Sequence, residues 1–238
     1  MTSSPTPAPS STTPVHELPA PARGWVPSCV VFDCDGILMD TEATWAQVQR
    51  LVSERHGLEY TAAQERRMMG WSAADVATAI AEAAQADRAA VYADVLRTEE
   101  RALCGQIVAL PGALETVRTF AERLPVAVAS NSTSTVLGLK LEQAGFAPHL
   151  STWVSSEDVP RAKPAPDIYT EAVRRLGFAP SEALAVEDSV VGATSAVAAG
   201  LVVVAVPSVP DGDPVPAHHR ATALTAPAFR ELMAGWLG

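Results

Sequence analysis

A chain of 238 residues with 48% hydrophobic side chains has material for one full α/β domain and a smaller insert. Its 27 acidic and 17 basic residues leave a net charge of −10, which argues against nucleic acid or an anionic membrane as the main partner. Cys29, Cys34 and Cys104 lack C-x-x-C spacing and fit buried thiols in a reducing cytoplasm rather than a disulfide framework.

Residues 1–27 are rich in Pro, Ser and Thr and read as a disordered or weakly extended tail. They lack a basic start followed by an apolar core, so they do not read as a secretory signal. Val30, Val31 and Phe32 then form an apolar run suited to a strand buried on both faces. Asp33 and Asp35 follow at once, and Gly36 allows a sharp turn. With a period of two, both carboxylates leave the strand end on one side and Cys34 points away. Neighbouring negative charge would raise the Cys34 thiol, which speaks against a nucleophilic cysteine.

Asp40 or Thr41 can cap the next helix, in which Trp45, Val48, Leu51 and Val52 recur at helical spacing before Gly57. Residues 60–106 carry almost no strand signal. Val76, Ile80, Ala83 and Ala84 mark one helix there, and Val91, Val95 and Leu96 another. The spacing predicts an all-helical block over 42–106.

From Leu110-Pro111-Gly112 the pattern alternates. Leu114, Val117, Phe120 and Leu124 line a helix, and Pro125–Ala129 is a strand ending in Ser130-Asn131. A helix over Thr133–Ala144 stops at Gly145, and residues 150–155 suit a strand. Ile168, Tyr169, Ala172, Val173 and Leu176 form a helical stripe capped by Asp167 and stopped by Gly177. Strands are expected at 183–186 and 201–206. The uncharged run Ser189–Pro210 is broken by Gly200 into an Ala-rich helix and a Val-rich strand, so it reads as core rather than a membrane span. No internal repeat is evident.

This alternation predicts a doubly wound parallel sheet, whose ligands gather at the carboxyl ends of the strands. The polar motifs fall there: Asp33 and Asp35, then Ser130 and Asn131, then Glu187, Asp188 and Ser189, with Lys163 in a loop whose Pro164 favours an extended backbone. Any one could be a helix cap or a solvated charge. Their joint arrival at one sheet edge favours a site. Up to four negative charges would meet an incoming phosphate, each unit pair costing about 4 kcal/mol at ~4 Å and an effective dielectric near 20. Lys163 cannot offset that alone, whereas a hard cation on carboxylate oxygens can, which points to Mg²⁺. His16, His56 and His149 stand alone and His218-His219 is an isolated pair, so no nitrogen or sulfur site competes.

Asp33-x-Asp35-Gly36, Ser130-Asn131, Lys163-Pro164 and Glu187-Asp188 resemble, in order and spacing, the four motifs of the haloacid dehalogenase superfamily. Lys-Pro-Ala-Pro-Asp and Glu-Asp-Ser-x-x-Gly are similar to its β-phosphoglucomutase-like and sugar-phosphatase branch. The resemblance implies a Rossmann-like core of residues 28–41 and 107–238 and a C1-type cap of 42–106. It implies Asp33 as nucleophile forming an aspartyl-phosphate, Asp35 as general acid and base, and Lys163 as neutraliser of the phosphoryl oxygens. It further implies Ser130 and Asn131 as phosphoryl-binding residues. Mg²⁺ would be held by Asp33, Asp188, the main-chain carbonyl of Asp35, and Glu187 as ligand or support.

Two departures from the mutases favour hydrolysis: Ala73 follows Gly70-Trp71-Ser72 where they carry Arg, and Trp45 stands where they carry His. Arg66 or Arg67 could substitute for that Arg. Lys140 and Lys163, the only lysines, lie outside the expected cap, which argues against Schiff-base chemistry, and Asp35 argues against dehalogenation. The expectation is a cytoplasmic, Mg²⁺-dependent phosphatase, monomeric or weakly dimeric, acting on a small phosphorylated metabolite of the sugar-phosphate type. Trp45, Trp71, Ser72 and Arg67 would select the substrate. A sugar phosphomutase and a catalytically silent binding protein are the alternatives.

Overall fold

The computed structural model describes residues 17–68, 70–103, 107–208 and 214–238, without the side chain of Glu42. The expectations for residues 1–16, His16 among them, and for Cys104 lie outside the described residues. Six strands form one parallel sheet in the order β3-β2-β1-β4-β5-β6: β1 (Cys29–Phe32), β2 (Val126–Ala129), β3 (Thr152–Val154), β4 (Ala183–Glu187), β5 (Val202–Ala205) and β6 (His219–Arg220). β1 is central, its Val31 level with Ala127 of β2 and Ala185 of β4.

The period of two sorts the strand residues into two cores. Val30 and Phe32 face a cluster containing Val117 and Phe120 of α5 (Ala113–Ala121), Leu137 and Leu141 of α6 (Ser134–Gln143) and Phe229 of α9 (Pro227–Leu237). Cys29 and Val31 face the other side, with Ile168 and Tyr169 of α7 (Asp167–Leu176) and Ala193 and Ala196 of α8 (Val190–Ala199). The uncharged run from residue 189 is indeed a helix and a strand. No described helix is long and apolar enough to cross a membrane.

Between β1 and α5 lie α1 (Glu42–Arg55), α2 (Ala62–Met68), α3 (Ala73–Ala84) and α4 (Arg88–Ala102). They bury a separate apolar cluster of Val48, Val52, Val76, Ile80, Val91 and Val95, against which Trp45 and Trp71 pack. Three local expectations change. Asp167, expected to cap α7, is its first residue and accepts from the Arg161 guanidinium at 2.7 and 3.0 Å, while Pro166 holds the N-cap. Thr41 occupies the N-cap of α1, but its hydroxyl donates to Asp35 instead of accepting from the helix. Residues 17–27, expected to be unstructured, lie on the core: Leu18 N–H donates to Ala217 O at 3.0 Å and Trp25 Nε1–H to Ser181 O at 2.9 Å. The Trp25 ring also meets Trp236 edge-on, with centroids 6.4 Å apart. These partners are some 150 residues or more away, so proline-rich composition gave no hint of them.

Candidate active site

The strand ends bring the polar residues together. Asp33 and Ser130 still belong to the ladder, their N–H groups donating to Val186 O and Val154 O, both at 3.0 Å. The side chains beyond them open onto a cavity of about 360 Å³ between the strand ends and the helical block.

On one side lies Lys163, buried and clasped by two carboxylates. Its Nζ donates to Asp33 Oδ1, to Glu187 Oε1 at 2.7 Å and to Tyr169 OH at 3.3 Å. Burial would lower the lysine, but Asp33 and Glu187 outweigh it and hold it well above its ordinary range. Burial pushes the Asp33 carboxyl up to about 7 against the opposing pull of Lys163. The main chain of Lys163 is fixed by Asn131: Lys163 N–H donates to Asn131 Oδ1 at 2.9 Å, and Asn131 Nδ2 donates back to Lys163 O at 3.2 Å. Nδ2 also donates to Gly70 O at 3.0 Å, tying the strand end to the helical block.

Glu187 is spent on this scaffold. Its Oε1 accepts from Lys163 and Tyr169, and its Oε2 from Asp188 N–H, Ser189 N–H and Ser189 Oγ. A Cβ on Gly192, on the first turn of α8, would sit 1.6 Å from Glu187 Oε1. The glycine of the Glu-Asp-Ser-x-x-Gly string is thus the space the buried carboxylate needs. Both Glu187 oxygens are thus engaged by protein donors, which suits the supporting role of the two expected for it, although the carboxylate still lies beside Asp33 and Asp188.

Asp33, Glu187 and Asp188 offer carboxylate oxygens within 4.8 Å of one another. A Cβ on Gly36 (φ +88°) would lie 2.1 Å from Asp188 Oδ2, so only glycine admits the Asp188 carboxylate to this edge. A cradle of hard oxygens with a lysine behind it fits Mg²⁺.

Asp35 faces a second lysine. Lys140 Nζ, on α6 and buried, donates to Asp35 Oδ1 at 2.7 Å and to Ser132 Oγ at 3.0 Å. Thr41 Oγ1 donates to the same carboxylate, as do Ser130 Oγ at 3.3 Å and Ser132 Oγ at 3.4 Å. Burial alone would push Asp35 up, but Lys140 and Thr41 outweigh it and hold the carboxyl below its usual range. Cys34 is buried between the two aspartates, and burial, with Asp35 beside it, pushes its thiol well above the usual value. It stays an inert thiol.

Lys140, Ser132 and Tyr169 were not among the expected site residues. The signal for Lys140 was available: it lies on the buried stripe of α6 with Val136, Leu137 and Leu141, where a cation needs a partner. Ser130 is engaged with Asp35 and with Ser132 N–H, and it is Ser132 that lines the cavity. Trp45 and Trp71 also line it. Ser72 does not belong to that lining; its hydroxyl caps α3, accepting from Asp75 N–H at 3.2 Å and donating to Asp75 Oδ2 at 2.6 Å. Arg67 lies over the Trp71 ring, 5.8 Å from its centroid.

Glu99 of α4 reaches the same cavity and is buried, and burial pushes its carboxyl up to about 7, with Lys140 opposing and Asp35 adding to the rise. Its folded value lies above that of the unfolded chain, so it penalises folding increasingly as pH rises from about 4.5 to 7. At about 1.4 kcal/mol per unit, the penalty approaches ~3 kcal/mol above pH 7. Glu99→Gln is accordingly expected to raise the melting temperature by several degrees at pH 8 and by almost nothing at pH 4.5. Thermal unfolding of both proteins across that range checks it; a gain independent of pH would refute the burial argument.

Fold and site together place two aspartates, Asp33 and Asp35, at the end of the central strand of a parallel α/β sheet. A model described as haloacid dehalogenase-like hydrolase matches residues 27–200, and the chain belongs to that family. It is 33% identical over 189 residues to the bifunctional riboflavin kinase/FMN phosphatase of Arabidopsis thaliana, covering 77% of this chain but only 49% of the plant enzyme. It is 30% identical over 174 residues to the fructose-1-phosphate phosphatase of Escherichia coli, covering 72% of this chain and 92% of that one. In fold it is similar to the crystal structure of β-phosphoglucomutase from Clostridium difficile, with a TM-score of 0.77 at 15% identity over 88% of this chain and 97% of that one.

Proposed function

We propose that the protein is a Mg²⁺-dependent phosphatase that hydrolyses a small phosphorylated metabolite, of the sugar-phosphate type, through an aspartyl-phosphate on Asp33. The observation that carries this reading is the clasp of Lys163 between Asp33 and Glu187, with Asp188 alongside, at the mouth of the cavity. An Asp33 oxygen bonds to phosphorus as the ester P–O bond breaks, and the departing alkoxide takes a proton from Asp35. Water then attacks phosphorus, gives a proton to Asp35 and releases inorganic phosphate, which restores Asp33. Asp33 and Asp188 would hold Mg²⁺, with the Asp35 carbonyl as a further ligand. When bound, the ion supplies the positive charge that offsets the phosphoryl oxygens.

Lys163 orients Asp33 and adds a second positive charge. Lys140 keeps Asp35 ionised in the free site, the form that accepts a proton from water. An incoming phosphate dianion raises Asp35 again and favours the protonated form that serves the leaving group. The fructose-1-phosphate phosphatase relative supports a sugar-phosphate substrate. Hydrolysis is favoured over phosphomutase chemistry because no arginine is among the described residues lining the cavity and its two lysines are already paired with carboxylates.

The test is phosphate release from a few dozen phosphorylated metabolites with Mg²⁺ and with chelator. Release confined to the Mg²⁺ arm supports the reading. Glucose 6-phosphate formed from β-glucose 1-phosphate without free phosphate would support the mutase instead, and silence across the panel would overturn both.

A further inference from the structure

The far wall of the cavity is unlike its mouth. The helical block contributes Trp45, Trp71, Ala43, Ala46 and Ala73, rings and methyl groups suited to apolar and stacking contact. The Gln49 amide is already committed, accepting from Tyr60 OH at 2.6 Å and donating to Met68 O at 3.3 Å. The remaining polar side chains from that block are the carboxylates Glu65 and Glu99. The two lysines of the lining are both paired with core carboxylates. A leaving group therefore meets aromatic and aliphatic surface in a field that repels further negative charge. Glu65 and Glu99 can accept from the hydroxyls of one sugar, while the rings of Trp45 and Trp71 offer a surface that a flat ring beyond that sugar would cover.

We infer that the preferred substrates are monophosphates whose sugar carries an uncharged flat ring, as a nucleoside 5′-monophosphate does, with that ring packed against Trp45 and Trp71. The inference rests on the phosphatase reading and narrows it. A cavity of about 360 Å³ is at the small end of ligand sites, which suits one ring on one sugar and excludes a dinucleotide. Stacking on an aromatic side chain accounts for roughly ten-fold in affinity per ring.

The experiment compares kcat/KM for uridine 5′-monophosphate and ribose 5-phosphate, which share the reacting ester and differ by the ring, each with Mg²⁺. A preference of ten-fold or more for the nucleotide is expected, and Trp71→Ala should bring the ratio to within about two-fold of unity while Trp71→Phe keeps most of it. Fructose 1,6-bisphosphate should be a poorer substrate than fructose 1-phosphate. Should the alanine variant not fold, tryptophan fluorescence of the Asp33→Asn protein supplies the second readout: quenching by the nucleotide but not by ribose 5-phosphate supports ring stacking. Equal or better turnover of ribose 5-phosphate overturns this inference and leaves the phosphatase standing. No phosphate from any probe overturns the phosphatase itself.

Discussion

Asp33→Asn is expected to reduce phosphate release by on the order of 10⁴-fold or more while the protein stays folded. An amide oxygen is far less nucleophilic than a carboxylate, and Asp33 is the cavity-lining carboxylate that accepts from Lys163. Stability should survive, because Lys163 keeps its bonds to Glu187 at 2.7 Å and to Tyr169 at 3.3 Å. Burial has already pushed the Asp33 carboxyl up to about 7, above its unfolded value. The ionised form is thus a cost to folding as pH rises through that window, and the neutral amide removes it. At pH 8 without metal the variant should melt no lower than the parent.

A labelled substrate quenched during turnover should leave a hydroxylamine-labile phosphoryl group on the parent and none on Asp33→Asn. Asp188→Asn is the control for a metal role. Its activity should recover in part as Mg²⁺ is raised, whereas that of Asp33→Asn should not. Substantial turnover by Asp33→Asn at any Mg²⁺ concentration would reject Asp33 as the attacking group.

What the sequence disclosed and what it withheld follow from the range of the forces involved. β1, β2, β4 and β5 are legible because a strand buried on both faces has to be apolar throughout, and Gly57, Gly112, Gly145, Gly177 and Gly200 punctuate the helices between them. Asp33, Asp35, Asn131, Lys163, Glu187 and Asp188 are legible as a group because each follows a strand or a turn that delivers it to one edge. β6 has only two residues, too few for any period, and its place beside β5 depends on tertiary packing. Tyr169 sits within an apolar helical stripe and reads as core; only the fold reveals that its hydroxyl meets Glu187 and Lys163. Thr41 and Ser72 show the two fates of a capping residue. Thr41 finds a stronger acceptor in the Asp35 carboxylate, whereas Ser72 stays on its own helix because Asp75 supplies both an N–H and a carboxylate. The Asp35 carboxylate and Asp75 are six and three residues from their partners, so the outcome turns on how the backbone between them folds, which composition and spacing do not reach.

Lys140→Met tests the half of the site that spacing did not reveal. Methionine matches the length of the lysine stem and fits the stripe of Val136, Leu137 and Leu141, so packing on α6 is largely kept. The charge is not. Asp35 would retain only hydroxyl donors from Thr41, Ser130 and Ser132, while its burial remains. Breaking a buried ion pair typically costs 3–5 kcal/mol, and the partial exposure of Asp35 brings the expected loss to about 2 kcal/mol. A depressed carboxyl contributes stability above its unfolded pKa and loses it as pH falls through the folded value. The gap between parent and variant should therefore be full at pH 7 and shrink below about pH 4.

Activity should fall more steeply than stability, by on the order of 10²-fold in kcat, because Asp35 loses both its fixed position and the bias toward the form that deprotonates water. The acidic limb of the pH–rate profile should move to higher pH for the same reason. Lys140→Arg keeps the charge on a longer fork and should recover part of the rate and most of the profile. Substrate KM should change little, since Lys140 is turned to Asp35 and Ser132 rather than toward the phosphoryl end. If Lys140→Met keeps the parent's profile and loses only stability, the second lysine is a structural counter-ion and Asp35 is positioned without it.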